Sequence, residues 1–180
     1  MLDPAIGYLI VAGIALLFAS AAAHKLRDLA RFTAVFAAYQ VLPDAPARRV
    51  AWLIPCLELG IALALCWEPS RRAALVSAIA VLIAYAAALG VNLLRGRRDL
   101  DCGCGAVRGR RVIADWMVWR NFLLASALGI AALPWSLRPV GATDLLTVVG
   151  GLMVGATLYA AVDRLLGDVA PKAMILWSTS

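Results

Sequence analysis

Cys102 and Cys104 are separated by a single glycine in the arginine-rich segment RGRRDLDCGCGAVRGRR, which joins two long apolar runs. One intervening glycine lets the two Cα atoms come within disulfide reach, and the small ring so closed is strained. Strain makes a disulfide easier to reduce. The spacing therefore points first to a redox-active thiol pair. In that chemistry one cysteine attacks, or is attacked by, a partner's disulfide as a thiolate, and the other resolves the mixed disulfide. Nearby arginines favour the thiolate whereas Asp99 and Asp101 oppose it, so the direction of any thiol shift is left open. Two other readings of the pair stand beside this one: free thiols in a solvated loop, and a metal site. The latter lacks ligands, because metals take three or four and only His24 could add an imidazole.

Those thiols must be positioned by apolar helices. The chain has 180 residues, of which 63% are hydrophobic, and its mean hydropathy is +0.86. Its charges are gathered in short clusters between runs near the ~20 residues that a bilayer core requires. Spans are expected at Ile6 to Ala23, Val50 to Trp67, Ala73 to Leu94, Val112 to Trp135 and Thr143 to Leu166. The fold class that follows is all-α: a polytopic transmembrane bundle in one domain over residues 1–180, with a four-helix core, a fifth helix and an interfacial amphipathic helix. Ala21, Ala22 and Ala23 resemble a signal cleavage site, but no basic residue precedes the run, so it is read as an uncleaved anchor.

Tryptophan favours the membrane interface. Trp52 and Trp116 open the second and fourth spans and Trp67 and Trp135 close them, so these two spans run parallel and the other three run opposite. The segment Lys25 to Leu42 is too polar to cross. Leu26, Leu29, Phe32, Phe36 and Tyr39 recur every three or four residues, opposite Lys25, Asp28 and Arg31, which predicts an amphipathic helix roofing the thiol side. Pro43 and Pro46 break the chain before the second span, and Pro55 is expected to kink it. Gly151 and Gly155 form a G-x-x-x-G pair suited to close helix packing.

A charge inside hydrocarbon persists mainly where it is paired or wet. Glu58 and Arg120 each lie eight residues into their spans, about 12 Å below the boundary at ~1.5 Å per residue. Equal depth and opposite charge predict an ion pair between them; the alternative is a snorkelling Arg120 with a protonated Glu58. Asn121, Asn92, His24 and Asp163 fall toward the same side. Cys56 is near Glu58 in height and is the candidate third thiol, against its reading as a small buried core side chain. Cys66 lies too far along the helix to take part.

The stretch AAAHKLRDLARFTAVFAAYQVLP, followed by IPCLELGIALAL, resembles the MauE and DoxX-like membrane proteins, and CGCGA with WRNFLL resembles the second half of the MauE pattern. Matched residue by residue, the likeness points to Lys25, Pro43, Pro55 and Glu58 in the first half. In the second it points to Cys102, Gly103, Cys104, Arg120 and Asn121. The family usually has CGCFG, and here Gly105 follows Cys104 without the aromatic, which puts any contact made by that ring in doubt.

The resemblance implies participation in methylamine utilisation, with a thioredoxin-like partner of the MauD type, in forming the disulfides of the methylamine dehydrogenase small subunit, a periplasmic client. It implies a multi-pass protein of the bacterial inner membrane. The arrangement is also similar in architecture to the vitamin K epoxide reductase type, which has a quinone beneath its dithiol; that likeness leaves the cofactor unknown, with a quinone as the candidate, and fold does not fix function.

Sidedness is contested. Lys and Arg crowd the thiol side, with six arginines in residues 95–111 alone, and the net charge is +6. The positive-inside rule then puts the thiols in the cytoplasm, whereas a periplasmic disulfide role wants them outside. The basic loop could equally attract anionic lipid or lower thiol pKa values, and no nucleic-acid partner is expected. Two function classes stay open: a thiol-disulfide oxidoreductase, and a non-catalytic membrane scaffold that docks a redox partner. A metal permease is disfavoured because acidic or thiol ligands are not spread over several spans.

Overall fold

A computed structural model describes residues 1–41, 43–101 and 112–177, with the side chains of 44, 45, 163 and 166–177 outside the description. The chain forms α1 (Pro4–Arg27), α2 (Leu29–Ala38), α3 (Asp44–Cys66), a 3-10 turn (Glu68–Ser70), α4 (Arg71–Leu94), α5 (Asp115–Ala131) and α6 (Ala142–Trp177). Among the described residues four stretches are long and apolar enough to cross a membrane: Pro4–Arg27, Pro46–Cys66, Glu68–Leu94 and Ala142–Val162. The protein is a multi-pass all-α membrane protein.

Local signals explain the boundaries. Asp3 caps α1 by accepting from the Ala5 amide at 2.9 Å, and Pro4 supplies a first helical residue that needs no amide partner. α1 runs four residues past the expected end of the first span and breaks at Asp28, whose carboxylate caps α2 through the Arg31 amide. The extension matters, because it carries Lys25 into the bundle rather than onto the connector's polar face. α3 passes through Pro55 without ending.

α5 is shorter than the expected Val112 to Trp135 span. Its 17 residues reach about 25 Å. Val112 pairs instead with Asp101, and Trp135 with Leu2, each as an isolated β-bridge. Pro134 stops the helix, and its carbonyl accepts from the Leu2 amide at 2.8 Å.

α1 packs against α3, α5 and α6, and α4 packs against α3 and α5. The helices α1, α3, α4 and α5 thus form a ring in which α3 and α5 are diagonal, and α6 leans on α1 from outside. Alanines at the contacts, among them Ala22, Ala51 and Ala78, are fully buried and let the backbones approach. Of the glycine pair on α6, Gly151 meets Leu9 of α1, and Gly155 meets nothing within 4 Å.

The core divides in two. One cluster, built on Ile14, Phe18, Leu65, Leu82 and Leu128, fills the half nearer the N-terminus. A second joins Tyr39, Leu89, Leu93, Leu100, Ile113 and Met117 on the thiol side. Outward faces are apolar: Leu16, Leu53, Leu63, Val76, Leu123 and Leu146 are all exposed. Lys25, Glu58, Asn92 and Asn121 are buried inside, the reverse of a water-soluble bundle and the arrangement hydrocarbon favours.

Candidate functional site

The charge in the middle of the ring is Glu58 of α3, and it is answered by Lys25 of α1 and Tyr85 of α4. Glu58 Oε1 accepts from Lys25 Nζ and from the Tyr85 hydroxyl, the latter at 2.6 Å. Lys25 Nζ lies 3.3 Å from the same hydroxyl, and 5.0 and 5.3 Å from the Tyr85 and Phe32 ring centroids. Lys25 is 3% exposed and Glu58 1%. A carboxylate, an ammonium and a phenol are therefore bonded to one another in the buried middle of the ring, the condition for keeping charge in a membrane. Glu58 Oε2 has no hydrogen-bond partner among the described residues.

The expected Glu58 to Arg120 pair is not formed. The cause is topological: α3 and α5 are diagonal, so equal depth does not bring their side chains together. Arg120 donates to the Tyr159 hydroxyl on α6 at 3.2 Å, and its guanidinium lies 5.4 Å from the Trp116 ring centroid. Sequence reasoning also missed Tyr85. The available signal was a lone hydroxyl in the run VLIAYAAAL, which depth arguments about charged residues pass over.

Above this triad the chain is tied together by arginines. Asn92, fully buried near the end of α4, donates to the Tyr39 and Ala88 carbonyls at 3.2 and 3.0 Å and accepts from Arg97 at 3.2 Å. Arg97 also reaches the Ala38 carbonyl at 2.8 Å, fastening α2 to α4. Gln40, with φ 49°, makes the turn out of α2 in the left-handed region.

The segment carrying the thiols starts from a fixed stem. The Ile113 amide donates to the Leu100 carbonyl at 2.9 Å, next to the Asp101 to Val112 bridge. Arg31 of α2 pairs with Asp101 at 2.7 Å, and Arg98 holds Asp115 through two bonds of 2.7 and 3.1 Å. The hydrogen bond to Asp101 raises the Arg31 pKa above its ordinary value, so the stem's cation stays charged. Cys102, Gly103 and Cys104 themselves lie outside the described residues. Leu100 and Ile113 anchor the stem in the second core cluster, on which α2 also packs through Tyr39 and Val35.

Beneath the stem is a cavity of about 280 Å3 between α2, α3, α4 and α5. Its walls are Phe32, Val35, Phe36 and Tyr39 from the roof and Ile54, Leu57, Val81 and Leu89 from the sides. Lys25, Tyr85, Arg120 and Asn121 supply the polar part. Lys25, Arg120 and Asn121 are thus brought to one space, and Glu58 stands behind it, held by Lys25 and Tyr85.

The remaining cysteines separate from this site. Cys56 and Cys66 are free thiols, and both are exposed on the bundle's outer surface, so neither is a buried core side chain. Cys66 lines a second cavity near the N-terminal end with Tyr8, Arg71 and Asp144. Among the described residues no group of three or more His, Cys, Asp or Glu could hold a metal ion.

Three comparisons bear on this architecture. A family model described as methylamine utilisation protein MauE matches residues 3–136. Proteins named methylamine utilization protein MauE are similar to most of the chain. That of Paracoccus denitrificans is 40% identical over 80% of this chain and 76% of its own. The Paracoccus versutus protein is 38% identical over 87% and 83%, and that of Methylophilus methylotrophus 34% over 94% and 90%. No solved structure matches the chain.

Proposed function

Because the chain belongs to the MauE family of methylamine utilisation membrane proteins, we propose that it is a thiol-disulfide redox protein of the bacterial inner membrane. Its working pair is Cys102 and Cys104, and it acts with a thioredoxin-like partner of the MauD type in maturing the disulfides of the methylamine dehydrogenase small subunit. The observation that carries the reading is the stem: Asp101, the residue before Cys102, is bridged to Val112 and clamped by Arg31. A dithiol loop needs such anchorage if it is to meet a partner's disulfide repeatedly in one orientation.

In this mechanism the thiolate of one cysteine attacks a disulfide sulfur. A mixed disulfide forms, one partner thiolate leaves, and the second cysteine displaces the other, leaving Cys102 and Cys104 oxidised and the partner reduced. Run in reverse, the same exchange delivers a disulfide to the partner. Glu58, Lys25 and Tyr85 position the helices that carry the stem. Cys56, facing outward on α3, is dispensable for the cycle.

The test is a trapping experiment in the methylotrophic host. Thiols are alkylated in membranes during growth on methylamine, and the redox state of Cys102 and Cys104 is read by mass spectrometry. Cycling between dithiol and disulfide, with loss of dehydrogenase activity in Cys102→Ser and Cys104→Ser, is expected. Normal dehydrogenase activity in both variants would instead make the protein a scaffold that docks the redox partner.

A further inference from the structure

The second cavity, at the end of the bundle opposite the thiol side, holds a cation with donors to spare. Its volume is about 380 Å3, and it lies in the wedge between α6 and the corner where α3 turns into α4. α3 and α6 both pack on α1, but among the described residues α6 touches neither α3 nor α4. Val11 and Ala12 of α1, Leu65 and Cys66 of α3, and Leu145 and Val148 of α6 make a wall that is almost wholly apolar.

Arg71 sets the polar end. Its guanidinium stands 5.4 Å from the Tyr8 ring centroid and 5.1 Å from that of Trp135, and its Nε donates to the Leu65 carbonyl at 3.4 Å. Nη1 and Nη2 make no hydrogen bond and no ion pair among the described residues. Asp144, the acidic residue of the wall, is already engaged: Arg138 holds its two oxygens at 2.6 and 2.8 Å, and the Gly141 amide adds a third bond at 2.8 Å.

We propose that this wedge binds a phospholipid, its phosphate on the Arg71 fork and one acyl chain lying along Ala12, Leu65 and Val148. The two rings hold the guanidinium in place, and the donors left on its outer edge demand an oxyanion, which a phosphate supplies in the matching planar geometry. The apolar length behind it demands a hydrocarbon chain, which excludes inorganic phosphate and nucleotides. Depth makes the same choice, because Arg71 lies against Trp135, a residue type that favours the interface, at the level of the bilayer's head groups. The chain fills the gap that α6 leaves against α3 and α4 and so joins α6 to that corner by packing.

The experiment uses the full-length protein in dodecyl maltoside micelles, which carry no phosphate, and a phosphatidylglycerol probe with a diazirine midway along one acyl chain. After photolysis, the crosslinked peptides are located by mass spectrometry. Saturable crosslinking to α1 around Ala12 and to α6 around Val148 is expected. Unlabelled phosphatidylglycerol should displace the probe there about tenfold more effectively than diacylglycerol of the same chains, the worth of a charge-assisted bond to the phosphate. Arg71→Met should weaken the probe's affinity by a similar factor, about tenfold. Val148→Trp, which fills the wedge and leaves the guanidinium in place, should remove the crosslinks. Unsaturable crosslinking, equal competition by diacylglycerol or by oleate, undiminished affinity in Arg71→Met, or crosslinks that survive Val148→Trp would each overturn the proposal. The competition uses wild-type protein alone, so it decides the matter whether or not either variant folds.

Discussion

Replacing Glu58 by Gln keeps the shape of the side chain and an acceptor for Tyr85 but leaves the Lys25 ammonium in the ring without its counter-charge. Two unit charges in hydrogen-bond contact, about 3 Å apart, attract by about 5–6 kcal/mol at an effective dielectric near 20. Both side chains are only 2% exposed, so solvent does not screen that figure as it would at a surface. Part of the attraction offsets the desolvation of the pair, and what a single substitution loses is the penalty of the charge left behind, about 3–5 kcal/mol. Lys25→Met should cost a similar amount for the opposite reason. The double variant Lys25→Met/Glu58→Leu removes both charges and fills the space with apolar atoms, and it should lie within ~1 kcal/mol of the parent or above it. Closed with the single variant Glu58→Leu, which leaves the same unpaired ammonium, the cycle predicts a coupling of about 3 kcal/mol or more, between residues 33 apart in sequence. Tyr85→Phe should cost a smaller ~1.5–3 kcal/mol, the worth of a hydrogen bond to a charged group. Reversible unfolding in mixed micelles, titrated with SDS and followed by circular dichroism, gives each value. Glu58→Gln combined with Arg120→Leu supplies the control: it should be additive within ~0.5 kcal/mol, because the two side chains share no bond. Single costs below about 1 kcal/mol, or additivity of Lys25→Met with Glu58→Leu, would refute the buried pair as the organising contact.

Four further outcomes can be measured. Gly7→Ala should destabilise the protein by ~1–3 kcal/mol, because a Cβ there would stand 2.5 Å from Trp135 Cε2; unchanged unfolding would mean the indole swings freely. Arg138 bridges Asp3 and Asp144 at 2.8 and 2.6 Å, and its hydrogen bond holds the Asp3 carboxyl below the ordinary 3.8. A depressed carboxylate contributes stability above 3.8 that is lost as pH falls through the folded value, so the gap in melting temperature between wild type and Asp3→Asn should be constant at neutral pH and close in acid; a gap undiminished at about pH 2.5 contradicts the clip. A Cys102 to Cys104 disulfide should have a potential above about −300 mV, and a lower one would group it with structural bridges. If the arginine bias sets orientation, an impermeant maleimide added to intact, reduced spheroplasts should leave Cys102 and Cys104 unlabelled, and labelling of intact cells would place the loop outside.

What the sequence made legible follows from which forces act locally. Helix existence, the spans of α1, α3, α4 and α6, and the roof helix were readable because hydropathy and period are carried by neighbouring residues. The ends of α5 were not, because Val112 and Trp135 are as apolar as a span requires but are taken by pairing with Asp101 and Leu2, residues distant in the chain. Lys25 reads as part of the connector's polar face and is instead buried in the bundle, whereas the cost of charge in hydrocarbon marked Glu58 and Arg120 as residues that need an environment. It could not say which pairs with which, since depth is one coordinate and partner choice depends on azimuth around the ring.

That azimuth has a physical reading in this chain. Glu58 lies two residues, about 200° at 100° per residue, from Cys56 on the same helix, so turning Glu58 into the ring necessarily turns Cys56 out toward lipid, as observed. The same rotation presents Glu58 to α1 and α4, the two neighbours of α3 in the ring. α1 has only to run past Ala23 for Lys25 to reach it, and Tyr85 arrives from the other side. Arg120, adjacent to Asn121 on α5, is turned about 100° from it. Its guanidinium can therefore reach out to Tyr159 on α6 while the buried carboxamide of Asn121 stays with the cavity. The buried pair of Lys25 and Glu58, with Tyr85, thus fixes the rotation of three helices, and that rotation leaves the Asn121 carboxamide lining the cavity.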